Sequence, residues 1–373
     1  MEASIKLEVQ PHFTGESYAQ AYRINSDSSP LEALSLCLAL IGVSLTGCNS
    51  NSGSSEGQRV DLNGAGSTFV YPVMSQWTST FSAAHSNIRI NYQSIGSGGG
   101  VQQVKNGTVD FGASDAPLSD DQLKDMKPVI QIPESAGPVC ITYSLPALDK
   151  PIQLSSDAIA GIFLGKIASW RDPVLVADNP GITLPNTKIV VAHRTDGSGT
   201  TNAFTTYLAA VSPQWQQTVG KGSAVNWPVG IGGKGSEGVT GIVRQSPGAI
   251  GYVELTFAQQ NKLPVAAVKN LAGKYVLPGT SSTTAAIAAF TDQLSQDPRT
   301  SIVNAPASAP DAYPISTLTF LIIPRTVQTS PSAPPSKASS NTSSATVKPP
   351  LPLSTTLHSP RASRATIASN FSR

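Results

Sequence analysis

Three turns rich in Gly, Ser and Thr each run directly into a segment with helical periodicity: Gly64-Ala65-Gly66-Ser67-Thr68, Gly96-Ser97-Gly98-Gly99-Gly100 and Arg194-Thr195-Asp196-Gly197-Ser198-Gly199-Thr200. A helix N-terminus exposes backbone N–H groups that have no partner inside the helix, and it carries roughly half a positive charge. Glycines let an anion come close to that end, and neighbouring hydroxyls add further donors. Any one such turn alone is an ordinary tight turn. Three in one chain point to an α/β fold in which helix N-termini converge on one small oxyanion.

The segments around these turns alternate between the two periods. Val70, Val73, Met74, Trp77 and Phe81 form one apolar stripe of a helix beginning near Ser67, and Ile88 to Tyr92 alternates as a strand. Val101 and Val104 open a short helix, and the stretch from Thr108 ends as a strand on Asp115, with Pro117 stopping it. Val129 to Ile132 and Val139 to Tyr143 read as two separate strands, and Pro146 and Pro151 bracket a crossing to a second lobe. There, Ala158 to Leu164 reads as a helix, Lys188 to Arg194 as a strand into the third turn, and Asn202 to Ala210 as the helix after it. Gly248 to Glu254 is a strand, and Ile315 to Ile323 a long one returning to the first lobe. The expected lobes are 59–145 plus 256–324, and 146–255, closing on the ligand from opposite sides.

Composition supports an extracytoplasmic globular chain: of 373 residues, 39% are hydrophobic and only 13% charged. Six Lys or Arg and no acid lie from Arg325 onward, so removing them from the net charge of +2 leaves the preceding residues at −4. That balance argues against a nucleic-acid binder. The apolar run Ala33 to Leu45 is shorter than the about 20 residues a membrane span needs, and has the length of a signal-peptide core. It ends in Leu45-Thr46-Gly47-Cys48, which looks like the lipobox of bacterial lipoproteins, with Cys48 as the lipidated first mature residue. Residues 1–48 are therefore expected to be a leader with an upstream extension, and 49–58 a flexible tether. Glu32 stands where a signal peptide carries positive charge, so the true start is expected downstream of Met1. With Cys37 in the leader and Cys48 acylated, Cys140 remains alone; it reads as a small buried hydrophobe, without a disulfide partner. The four histidines are scattered without ligand spacing, so neither a metal nor another cofactor is expected. From Arg325 to Arg373 the chain is Ser, Thr, Pro and Ala without periodicity, a composition expected to be disordered.

From about Leu62 to Ile323 the sequence resembles the phosphate-binding protein of the bacterial phosphate ABC transporter, the PstS type. The resemblance rests on the three turns together with Val109-Asp110-Phe111-Gly112-Ala113-Ser114-Asp115-Ala116-Pro117-Leu118-Ser119, Ile162 to Ile167 with Trp170, Trp227 to Gly235, and Gly248 to Glu254, in order and spacing. It implies a two-lobed periplasmic-binding-protein fold of type II with the ligand in the cleft between lobes. It further implies inorganic phosphate as ligand and the membrane permease subunits of an ABC importer as partners. Thr68 (side chain), Phe69 (backbone N–H), Ser97, Ser198, Gly199 and Thr200 would donate hydrogen bonds, Arg194 would supply the full positive charge, and Asp196 would hold its planar fork. Asp115 would accept a hydrogen bond from a protonated phosphate oxygen. The protein would act at the outer face of the cell membrane or in the periplasm, anchored by lipid. Members of that family continue beyond the strand at Ile323 with further helices, so the acid-free stretch after Pro324 reads as a shifted reading frame.

Two other classes share such a cradle. A phosphatase would need an activated nucleophile beside a base or a metal cluster, and Ser97 and Ser198 have no adjacent His or Lys, although His193 is close in sequence. A binding protein for sulfate or molybdate would be opposed by the Asp115 carboxylate. The expectation is a binding protein without catalytic residues.

Overall fold

A computed structural model describes residues 60–325, apart from 146, 147 and 149. The leader, Cys48, the tether, the start of the crossing at Pro146 and the tail lie outside the described residues.

The chain opens with β1 (Val60–Gly66), α1 (Tyr71–Ala84), β2 (Ile88–Ser94), α2 (Ser97–Asn106), β3 (Phe111–Ser114), α3 (Asp120–Lys124) and β4 (Val129–Tyr143). It continues through β5 (Gln153–Leu154), α4 (Ser156–Phe163), α5 (Pro173–Asp178), β6 (Val190–Arg194), α6 (Gly199–Val211), α7 (Pro213–Thr218), β7 (Ile231–Gly233), α8 (Gly235–Gln245) and β8 (Ala249–Glu254). The last elements are α9 (Leu255–Gln260), β9 (Ala267–Lys269), β10 (Tyr275–Val276), α10 (Thr280–Ala288), α11 (Thr291–Gln296) and β11 (Ser316–Pro324). Short polar caps start many of the helices: Ser155, Asp172, Ser198 and Ser212 each accept a backbone N–H of the first turn, and Ser119 with Gln122 forms a capping box.

An eight-stranded sheet runs in the order β2-β1-β3-β11-β4-β8-β6-β7, and β10-β9-β5 form a smaller one. β1 is parallel to β2 and β3 at one end of the large sheet, and β6 is parallel to β7 and β8 at the other. The long β4 joins the two ends, pairing antiparallel with β11 along its first part and with β8 along its last. In parallel α/β units the helix N-termini follow the carboxyl ends of the strands, so this topology brings the turns after β1, β2 and β6 towards one region.

Two expectations need correction. The apolar stripe starts its helix at Tyr71, with Pro72 in the first turn, and Ser67 to Val70 form the turn before it. Of the stripe, Val70 and Met74 are buried against Ala113, whereas Val73 and Trp77 are exposed, because α1 meets the sheet only near its N-terminal end. The second correction concerns Val129 to Tyr143, which form one fifteen-residue strand rather than two. Its pairing with β11 slips between Thr319 and Phe320, a β-bulge at Pro133 to Ser135 that keeps the strand continuous past its proline.

The largest core cluster gathers Phe163, Trp170, Phe204, Tyr207, Trp215 and Tyr252, all essentially without solvent contact. Phe204 stacks on Tyr252 at 4.5 Å between ring centroids and meets Phe163 edge-on at 4.7 Å. Buried indoles keep their polar handles satisfied: Trp170 Nε1 donates to the Gly248 carbonyl at 2.9 Å and Trp215 Nε1 to that of Gly220 at 2.7 Å. This cluster is the floor on which β6 and α6 rest.

Candidate anion-binding site

Asp115, immediately after β3, is the point where the turns meet. The residue is 3% exposed, and its carboxylate accepts from three separate parts of the chain. Ser67 Oγ, from the turn before α1, and Thr319 Oγ1, from β11 at 3.0 Å, donate to Oδ1, and Thr200 Oγ1, from α6, donates to Oδ2 at 3.1 Å. The Asp115 carbonyl accepts from Thr317 Oγ1 at 3.1 Å, and its N–H donates to Ser97 Oγ at 3.3 Å. Burial is the largest influence on this carboxyl and pushes it above the usual range, while Ser67, Thr319, the Arg194 charge and Thr200 pull it back.

Arg194, the last residue of β6, is buried as well. Its Nε donates to Asp196 Oδ1 at 2.7 Å, Nη2 to Asp196 Oδ2, and Nη1 to Thr68 Oγ1 at 3.1 Å. The two-toothed pairing fixes the plane of the guanidinium. Asp196 also accepts the Gly235 N–H at 3.0 Å. Burial opposes its charge, but the Arg194 hydrogen bonds and charge outweigh burial and hold its carboxyl below the usual range.

Contacts across the meeting point are made by hydroxyls and backbone. Ser97 Oγ accepts the Gly199 N–H at 3.1 Å, the Gly98 N–H donates to the Gly197 carbonyl at 2.8 Å, and Thr68 Oγ1 lies 2.8 Å from Ser236 Oγ. Phe69 N–H turns back to Ser67 Oγ at 3.0 Å, and Ser198 Oγ caps α6 by accepting the Thr201 N–H at 3.0 Å. Two glycines are required here. Gly96 has φ of +91° and a Cβ on it would run into the Asp196 carboxylate, whereas a Cβ on Gly199 would stand 2.6 Å from Asp115 Cβ. The site is therefore a set of donors from N-terminal turns around one buried cation and one buried carboxylate acceptor, an arrangement that can hold a small, partly protonated oxyanion.

A family model described as the PBP superfamily domain matches residues 52–334. The phosphate-binding protein PstS of Xylella fastidiosa strain Temecula1 is 42% identical over 310 residues, 78% of this chain and 83% of that protein. This chain belongs to the PstS family. The PstS of Haemophilus influenzae is 47% identical over 231 residues, 61% of this chain and 68% of that protein. Among solved structures, a high-affinity periplasmic phosphate-binding protein bound with phosphate is similar at 24% identity and a TM-score of 0.54, over 71% of this chain and 80% of that one. The shared fold is the type II periplasmic-binding-protein fold.

All eight ligand-binding residues expected from the PstS resemblance, Thr68, Phe69, Ser97, Asp115, Arg194, Ser198, Gly199 and Thr200, lie in this one region of the fold, and Asp196 holds Arg194. Sequence reasoning missed Ser67 and Thr319 as donors to Asp115, and missed Ser236, whose N–H donates to Thr68 Oγ1 at 3.3 Å. Ser236 had a legible signal, because Gly233-Lys234-Gly235-Ser236 is a fourth glycine turn opening a helix, α8. Thr319 had none, since its partner is remote in sequence. Cys140 is buried, and burial pushes its thiol well up, in keeping with an apolar role. His193 stacks on Trp227 at 5.0 Å, and its Nδ1 lies 3.1 Å from the Arg194 carbonyl.

Proposed function

We propose that this protein captures inorganic phosphate outside the cytoplasmic membrane and hands it to the permease of an ABC-type importer, with no chemical step. The observation that carries this reading is the buried Asp115 carboxylate set among donors from turns at 67–70, 97–100 and 198–200 and beside Arg194. Relatives named phosphate-binding protein PstS, and a similar structure with phosphate bound, support it.

In this reading Thr68, Phe69 N–H, Ser97, Ser198, Gly199, Thr200 and Arg194 donate to phosphate oxygens, Asp196 orients Arg194, and Asp115 accepts the phosphate O–H. Phosphate keeps at least one proton at neutral pH and sulfate keeps none, so sulfate would set a bare oxygen against Asp115. A site denied its hydrogen bond and faced with like charge rejects the competitor by roughly 10⁴-fold. The lobes are 59–145 with 256–324, and 146–255, with the 325–373 tail outside them. The 1–48 leader directs export, and lipid on Cys48 followed by the 49–58 tether holds the protein at the membrane surface. No helix among the described residues is long and apolar enough to cross a membrane.

Equilibrium dialysis of the full chain against labelled phosphate tests the reading, with phenyl phosphate as a control. Saturable phosphate uptake without release of phenol is expected. Turnover of the ester would favour an enzyme, and absence of phosphate uptake by folded protein would overturn the proposal.

A further inference from the structure

The donors on Asp115 divide unevenly between its two oxygens. An ionised carboxylate has about two acceptor positions on each oxygen. Oδ1 takes both Ser67 Oγ and, at 3.0 Å, Thr319 Oγ1, which fills it. Oδ2 takes Thr200 Oγ1 alone, at 3.1 Å, and keeps one position open. Ser67 and Thr319 are both without solvent contact. The acceptor side of Ser67 Oγ is occupied by the Phe69 N–H at 3.0 Å, so its single proton goes to Asp115.

Backbone pairing fixes each of these two donors in turn. β11 lies antiparallel to β3 with Phe320 opposite Ser114, which sets Thr319 beside Asp115, and two residues earlier Thr317 Oγ1 donates to the Asp115 carbonyl at 3.1 Å. Ser67 donates its N–H to the Ala113 carbonyl at 2.8 Å, and its own carbonyl accepts the Tyr92 hydroxyl at 2.9 Å. Swinging the carboxylate away from the site therefore breaks two charge-assisted hydrogen bonds whose donors cannot follow. The same two bonds keep it ionised: burial pushes the carboxyl up, and the hydrogen bonds from Ser67 and Thr319 pull it back ahead of the Arg194 charge and Thr200.

Resting on the phosphate reading above, we propose that Ser67 and Thr319 are specificity-determining positioning residues, which saturate Asp115 Oδ1 so that the site presents one fixed acceptor, on Oδ2, to the ligand. Neither hydroxyl reaches the ligand in this role. An oxyanion that brings an O–H satisfies the open position, whereas one with bare oxygens meets a negative charge that can neither turn aside nor be neutralised. With one of the two donors removed, the carboxylate gains freedom to rotate or to carry a proton of its own, and a protonated carboxyl can donate to a bare oxygen.

The test is displacement of labelled phosphate by sulfate at neutral pH, in equilibrium dialysis of the full chain and of Thr319→Val, Thr319→Ser and Ser67→Ala. Phosphate preference is the ratio of the sulfate and unlabelled phosphate concentrations that each displace half the label. It is expected to fall about tenfold or more in Thr319→Val, which keeps the shape and loses the donor, and to return to within about threefold of wild type in Thr319→Ser. Ser67→Ala should lower it in the same way and stands as an independent test if Thr319→Val does not fold. That variant also frees the Phe69 N–H, but this donor serves both anions, so the ratio still reads the carboxylate. An unchanged ratio in Thr319→Val or in Ser67→Ala would overturn the inference, as would a lowered ratio that serine at 319 does not restore, since the methyl group and not the hydroxyl would then matter. Failure of the wild type to bind phosphate would instead count against the phosphate reading itself.

Discussion

At the scale of residues, the site depends on two buried charges that are each satisfied by several partners. Arg194 uses three separate nitrogens, two on Asp196 and one on Thr68. A lysine keeps the charge but offers a point donor in place of a fork, so Arg194→Lys should weaken phosphate binding by about 10²-fold, read by calorimetry. Affinity within twofold of wild type would mean that charge alone is what Arg194 supplies. Asp196→Ala is more severe, because removing one member of a buried pair leaves the other uncompensated and costs about 3–5 kcal/mol of stability. Glu134 gives a stability prediction of opposite origin. Its carboxyl is raised from 4.5 to about 8, so the unfolded chain loses this proton before the folded one does. Folding stability is therefore drained as pH rises from about 4.5 to about 8 and levels off above that. Glu134→Gln removes the drain, and its melting temperature should gain on wild type steadily across that window and run parallel to it beyond. A constant gap would show that the residue is already ionised when folded.

Among elements, Gly199 and the two tryptophans Trp77 and Trp170 carry distinct expectations. Gly199 opens α6 against Asp115, and an added methyl would stand 2.7 Å from the Asp115 N atom. Gly199→Ala should leave circular dichroism unchanged and cut phosphate affinity by more than about tenfold, since the turn and the carboxylate can no longer approach. Trp170→Ala should cost about 3–5 kcal/mol of unfolding free energy, and Trp77→Ala far less, because Trp170 is fully buried and Trp77 is 43% exposed. The contrast also shows what the sequence could carry. Local patterns placed β6, α6, β8 and β11 well, because cap, period and hydrophobic run agree there, as with Ser198 at the start of α6. The stripe on α1 looked like a core face, yet only its first turns meet the sheet, a matter of tertiary placement that periodicity does not encode. The strand β4 read as two strands, and only its pairing with β11 shows that a bulge carries one strand through. The same limit explains the site: Asp115, Arg194 and the glycine turns were legible from motif spacing, whereas Thr319 reaches the carboxylate only because β11 passes beside β3.

For the whole molecule, the long β4 links the two ends of one sheet, and the site forms where turns from both ends meet on Asp115 and Arg194. The central claim is that a buried carboxylate selects a protonated oxyanion. It is tested most directly by calorimetric titration of the full chain and of Asp115→Asn with phosphate and with sulfate at neutral pH. The account predicts tight phosphate binding and no measurable sulfate binding by the wild type, with weaker phosphate binding and measurable sulfate binding by the variant, since an amide can donate where the carboxylate could only accept. A variant that still binds phosphate alone would contradict it.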